Sequence, residues 1–114
     1  MNEINILKEK LSREVTQLVL SVQIEKKIDN RVFERLSNIL KEITVSLKDV
    51  EYVSKSMLLD IHVATNALIN EYPYLDSINL KESESVVSEL QKYFYLILNN
   101  ERYDERVSGV PRIF

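Results

Sequence analysis

The stretch INILKEKLSREVTQLVLSV, residues 4–22, decides the fold class. It places Ile4, Leu7, Leu11, Val15, Leu18 and Val22 at successive spacings of 3, 4, 4, 3 and 4, which puts them on one face of an α-helix. A half-buried strand would alternate apolar and polar residues instead, and this segment does not. Lys8, Lys10, Arg13 and Glu14 fall mostly outside the stripe, so they are expected on the solvated side.

The same period returns three more times down the chain. Asp29 and Asn30 offer an N-cap to a second helix, whose stripe is Val32, Phe33, Leu36, Ile39, Leu40, Ile43 and Leu47. A third helix begins between Asp49 and Ser56, with Asp49, Ser54 and Ser56 all acceptable caps. Its apolar positions are Val50 or Val53, Met57, Leu58, Ile61, Ala64, Leu68, Ile69 and Tyr72. Pro73 is expected to push Tyr72 out of the helical region and end that helix, leaving residues 72–77 as the longest loop. Ser77 or Asn79 then caps a fourth helix with the stripe Leu80, Val86, Val87, Leu90, Phe94, Ile97 and Leu98.

Composition agrees with this reading. One Gly and two Pro in 114 residues leave almost nothing for hairpin turns, so a β fold is excluded. The length suits one domain. The prediction is an all-α, antiparallel up-down four-helix bundle over residues 1–100, followed by a short non-helical C-terminal tail, residues 101–114, packed on the bundle.

The tail breaks the helical period after its first turn and holds the only Gly, at 109, and one of the two Pro, at 111. It closes on Ile113 and Phe114, where a frayed terminus is more often polar. Two roles fit it. It docks into a groove between helices, or it forms part of a partner site in which Ile113 and Phe114 pin the segment and Arg106 and Arg112 are presented at fixed positions.

Chemistry is sparse. With no Cys there is no disulfide, thiolate nucleophile or Cys-based metal site, which fits a reducing cytosol. The single His62 lacks a second imidazole for a metal and reads as a hydrogen-bonded helix residue. Glu82 and Glu84, two residues apart on a helix, point in different directions and read as solvated acids near a helix N-terminus. No phosphate loop, HExxH pair or EF-hand string occurs, so no enzyme activity, cofactor or metal is expected. The first residues lack the apolar core of a signal peptide, and no run is long enough to span a membrane, so the expected location is cytoplasmic.

The formal charge of −3 argues against a nucleic-acid partner. Residues 1–48 hold nine Lys/Arg against seven Asp/Glu, whereas residues 49–114 hold six against eleven. The densest basic cluster, Lys26 to Arg31, fits contact with a membrane surface or an acidic partner. All six tyrosines lie in the acidic half, and Tyr93 and Tyr95 flank Phe94, so both cannot face a core. Tyrosine joins apolar area to a polar end and is enriched at interfaces. The candidate partner-binding residues are therefore Tyr72, Tyr74, Tyr95, Tyr103, Arg106, Arg112, Ile113 and Phe114, with Glu82, Glu84 and Glu89.

The ending Ser108-Gly109-Val110-Pro111-Arg112-Ile113-Phe114 has a small residue, a Gly or Pro turn and a terminal Phe. It resembles the endings of several bacteriocin immunity proteins of Gram-positive bacteria, small cytosolic proteins that protect a producer from its own pore-forming peptide. Chain length and helix number are similar too. The resemblance implies an antiparallel four-helix bundle, with the tail and the loop around Tyr72–Asp76 carrying specificity toward the toxin or its receptor complex. Members are often basic, whereas this chain is acidic, and the helical segments share no motif with them. An immunity protein against a polymorphic toxin would instead cover a basic toxin with an acidic face. The expected function is a non-catalytic binding protein of the immunity type, neutralising or blocking a bacterial toxin or bacteriocin. The alternative is a structural or assembly protein that forms a helical homodimer.

Overall fold

A computed structural model describes residues 3–105. It contains α1 (Glu3–Glu25), α2 (Asn30–Ser46), α3 (Lys55–Glu71), a single 3₁₀ turn (Tyr72–Tyr74) and α4 (Ser77–Leu98), with no strand among the described residues. The chain is an all-α four-helix bundle in which each helix runs antiparallel to the one before it.

The order in space differs from the order in sequence. α1 packs on both α2 and α3, and α4 packs on both α3 and α2. Two hairpins, α1–α2 and α3–α4, are thus stacked with α1 beside α3 and α2 beside α4. The joined ends identify the sense of each pair. Lys26, just past α1, bonds Glu71 at the end of α3 at 2.8 Å. Lys48, just past α2, donates to the Asn100 carbonyl just past α4 at 2.9 Å. Each stacked pair therefore runs in the same direction and brings two negative helix ends together, with a lysine at each junction. This arrangement explains the connection of residues 47–54, which is longer than the 72–77 segment expected to be the longest: it crosses the end of the bundle from α2 to α3.

One core joins all four helices. Leu11, Leu18, Leu36, Leu40, Ile43, Ala64, Leu68 and Leu90 are wholly shielded from solvent. The stripes of α1 and α2 lie where the spacing placed them, except that Ile4, Phe33 and Ile39 are half-buried at the edge and Glu14 is buried. Glu14 faces α2, where Arg35 meets it at 3.0 Å; pairing is what allows a carboxylate there.

On α4, Val86, Val87, Leu90 and Ile97 are buried as the spacing predicts, and the departures lie mainly toward the end of the helix. Tyr93 and Leu96 are buried, Phe94 is half-buried and Leu98 is 54% exposed. Ser83 fills a core position as well. On α3, Ile69 is exposed, and of the residues before it Val50 is exposed and Val53 partly covered.

Caps show how local chemistry sets the ends. Asp29 is the N-cap of α2 and accepts from the amides of Arg31 at 3.0 Å and Val32 at 3.4 Å. Ser54 precedes α3, its hydroxyl 2.9 Å from that of Ser56 rather than on the backbone. Asp76, rather than Ser77 or Asn79, caps α4, because its extended backbone lets the carboxylate reach the Asn79 amide at 2.9 Å. Asn79 answers with its side-chain amide at 3.0 Å. Tyr72 stays in the helical region, at φ −49° and ψ −45°, contrary to the expectation from Pro73. The 3₁₀ turn starts there, and a proline in a first turn forfeits no hydrogen bond.

The helices end without glycine. Lys26, Asp49 and Asn100 take positive φ of 59°, 65° and 57°. At Asn100 the Glu101 amide reaches back to the Leu96 carbonyl at 2.9 Å and the Asn100 amide to Ile97 at 3.3 Å, a Schellman closure. Asn and Asp tolerate this conformation because their short side chains bond locally; Lys26 is instead held by Glu71.

Candidate protein-binding face

Among the described residues, no further helix covers the outer seam between α3 and α4. Going from the Tyr72 end to the opposite end, it is lined first by Ile69, Asn66 and Gln91, then by His62, Thr65, Phe94 and Tyr95. It continues into an open groove of about 540 Å³ formed by Leu58, Ile97, Leu98, Val53, Val50, Glu51, Asp49 and Asn100. The periodicity of α3 explains the lining. Met57, Ile61, Ala64 and Leu68 take the core face, which turns Leu58, His62 and Ile69 toward the rim beside α4. On α4, Gln91, Tyr95 and Leu98 recur at intervals of 4 and 3 and form the facing rim.

Polar atoms are few and short-tethered. His62 Nε2 lies 2.9 Å from the Asn66 side-chain amide, one turn along α3, and both residues are exposed. Thr65 returns its hydroxyl to the Ile61 carbonyl at 2.8 Å. Phe94 and Tyr95 meet edge to face, with ring centres 6.2 Å apart and planes at 86°. Tyr95 remains 52% exposed beyond that contact. Tyr72 closes one end, where burial and then the charge of Glu84 push its hydroxyl pKa above the usual 10.0.

Charge separates this hairpin from the other. No Lys or Arg occurs anywhere from Ser56 to Leu80. Residues 55–98 hold three Lys/Arg against six Asp/Glu, a net of −3, whereas residues 3–46 hold eight against seven. Of the three, Lys92 pairs with Glu89 at 3.2 Å and lies over the Tyr93 ring. On the α1 side of α3, burial raises the Asp60 carboxyl above its usual value while Lys8 pulls it back.

The residues singled out from the sequence do not form one site. Tyr72, Glu84 and Tyr95 share the α3–α4 seam. Glu82 lies at the end of the bundle, in a groove with Asp29, Arg31 and Asn79. Tyr74, 70% exposed, carries Lys26 over its ring at 5.5 Å at that same end. Glu89 is occupied by Lys92. Tyr103 is on the far side, where its amide donates to Thr44 Oγ1 at 3.1 Å and Lys41 stands 5.7 Å from its ring. Next to it Glu105 bonds Lys48 at 3.0 Å, and that cation with the Arg102 amide holds the Glu105 carboxyl below its usual value. Arg106, Arg112, Ile113 and Phe114 lie outside the described residues.

Sequence reading missed Leu98 and Ile69 as exposed rim residues, having assigned both to the core stripes. Their signal was present in the gap of cations from Ser56 to Leu80 and in the number of apolar residues on α3, more than one buried face accommodates. Among the described residues no group of three or more His, Cys, Asp or Glu is arranged to hold a metal ion, and no helix is long and apolar enough to cross a membrane. No protein-family model, no curated protein and no solved structure matches the chain.

Proposed function

We propose that this chain is a non-catalytic binding protein of the immunity type, neutralising or blocking a bacterial toxin or bacteriocin in the cytoplasm of the cell it protects. The observation that carries the reading is the α3–α4 seam, where Tyr95, Leu98 and Ile69 stay exposed along a groove on an acidic hairpin. A protein gains nothing in folding by leaving such side chains in water at consecutive positions of one seam, whereas an interface gains their area. The aromatic and acidic bias of this half of the chain, and the likeness of residues 108–114 to the endings of immunity proteins, give the partner its proposed class.

Protection is the direct test. Sensitive bacteria expressing the chain are challenged with a panel of pore-forming bacteriocins and protein toxins, and survival against at least one is expected to rise. The double variant Tyr95→Asp with Leu98→Asp should abolish that protection while remaining folded, since both sites are exposed. A folded, expressed chain that protects against no member of a broad panel refutes the reading.

A further inference from the structure

We infer that the α3–α4 groove receives an amphipathic helix of another protein or peptide, one with an apolar face and Lys or Arg toward both of its ends. This rests on reading the chain as a binding protein and adds the chemistry of what it binds. Shape is the first argument. The groove lies between two antiparallel helices, and its lining on α3 runs from Leu58 to Ile69. That is about 17 Å, or roughly three turns of a docked helix. Such a groove presents a row of apolar contacts to side chains at positions i, i+3, i+4 and i+7.

Charge gives the second argument and selects the occupant. Asp49 and Glu51 line one end of the groove, and Glu84, two helical turns before Gln91 on the same stripe of α4, stands toward the other. The α3 wall, from Ser56 to Glu71, has no cation, and Lys92 on α4 is paired with Glu89. A second copy of this chain, turned about a two-fold axis, would set Asp49 and Glu51 of one molecule against Glu84 of the other. Like charges placed so closely are repulsive, and two hairpins of net −3 add to it. A helix with cations at its ends reverses every one of these terms. The polar pair His62–Asn66 at mid-groove then meets the helix backbone or a small polar side chain without burying an unpaired charge.

The chain has no Trp, so a peptide carrying one supplies an emission signal free of background. The probe is a synthetic amphipathic helix of about 18 residues, ~27 Å long, with Leu and one Trp on its apolar face and Lys at both ends. Titrated with the full chain, it should bind saturably with a blue shift. A version with Glu at its ends should bind at least ~10-fold more weakly. Tyr95→Asp with Leu98→Asp should cost at least ~10-fold, and Glu51→Lys with Glu84→Lys about 3- to 10-fold. Leu20→Asp with Ile24→Asp, on exposed positions of α1, should change nothing.

No saturable binding, equal binding of the Lys and Glu peptides, or indifference to the groove variants overturns the proposal. So does a concentration-dependent dimer that Leu98→Asp dissolves, since a second copy would then be the occupant. Binding that emerges only when Ile113 and Phe114 are both replaced by Asp overturns it too, assigning the groove to the chain's own C-terminal residues. The two readings fail separately. Protection without peptide binding removes the amphipathic helix and keeps the immunity reading; peptide binding without protection does the reverse.

Discussion

Between α1 and α2 the seam is closed by a charge pair. Arg35 donates to Glu14 at 3.0 Å and reaches Gln17 at 3.4 Å, and Glu14 is buried beneath it. Between α3 and α4 the corresponding surface is a channel edged by Tyr95, Leu98 and Ile69, with Asp49 and Glu51 at one end. Both hairpins contribute to the same core and share the same antiparallel geometry. The difference therefore lies in what each seam is completed by. A guanidinium supplied within the chain finishes the first, whereas among the described residues no ion pair spans the second.

The comparison breaks altogether if the common core is not real. Leu36→Asp or Leu90→Asp buries a charge with no partner at a fully shielded position. Each should cost more than about 4 kcal/mol, enough to erase the helical circular dichroism signal of most domains of this size. Full helicity and an unchanged Tm in both variants would refute the bundle.

A sharper pair of substitutions treats the two seams symmetrically. Arg35→Ala leaves the Glu14 carboxylate buried without its donor, at an expected cost of about 1–2 kcal/mol in denaturant unfolding. Tyr95→Ala should leave stability within ~0.5 kcal/mol yet weaken partner binding by roughly 30-fold. If Tyr95→Ala destabilises as much as Arg35→Ala, the second seam is structural rather than a binding face.

Smaller effects test the ends of the hairpins. Asp29→Ala removes the cap of α2 and should cost about 1 kcal/mol, with earlier amide exchange in its first turn. At the start of α4, the backbone and side-chain amides of Asn79 hold the Asp76 carboxyl below its usual 3.8. Glu105 is held below 4.5 by Lys48. A lowered carboxyl binds its proton less well folded than unfolded. The stabilisation from each is complete above the ordinary pKa and is lost as pH falls through the lowered value. Acid should therefore loosen the first turn of α4 and the Lys48–Glu105 contact ahead of the core, as followed by amide chemical shifts.

Tyr72 runs the other way. Its raised pKa means the folded state favours the neutral phenol, so its contribution is intact below 10.0 and disappears as pH rises through the raised value. Phenolate absorbance, assigned by a Tyr72→Phe variant, should show Tyr72 titrating late, and Glu84→Gln should move it partway back, burial being the larger cause. If Glu84→Gln leaves it unmoved, Glu84 is not at the end of the seam.

Much of the fold was legible because helix periodicity is local. The stripes of α1 and α2, the Asp29 cap and the exclusion of strands all follow from residues within one or two turns of each other. The phase of α4 was not legible in the same way. YFYLIL, residues 93–98, offers six apolar side chains in a row, and nothing in the stretch says which are turned inward. The site was read less well. Of the residues put forward together, Tyr72, Glu84 and Tyr95 fall on the α3–α4 side, whereas Tyr74, Glu82, Glu89 and Tyr103 are dispersed over the surface, because exposure and an aromatic ring do not specify a direction.

What the sequence determined by itself is the number of helices, the cap of α2 and the face of α1 and α2 that is buried. These depend on backbone hydrogen bonding and on side chains three and four residues apart. What only the tertiary structure decided is the stacking of α1 beside α3 and α2 beside α4, and with it which seam is left open. That choice depends on contacts between residues far apart in the chain, such as Lys26 with Glu71 and Lys48 with Asn100. No local period encodes them, since the same four stripes would bury as well in another order around the core.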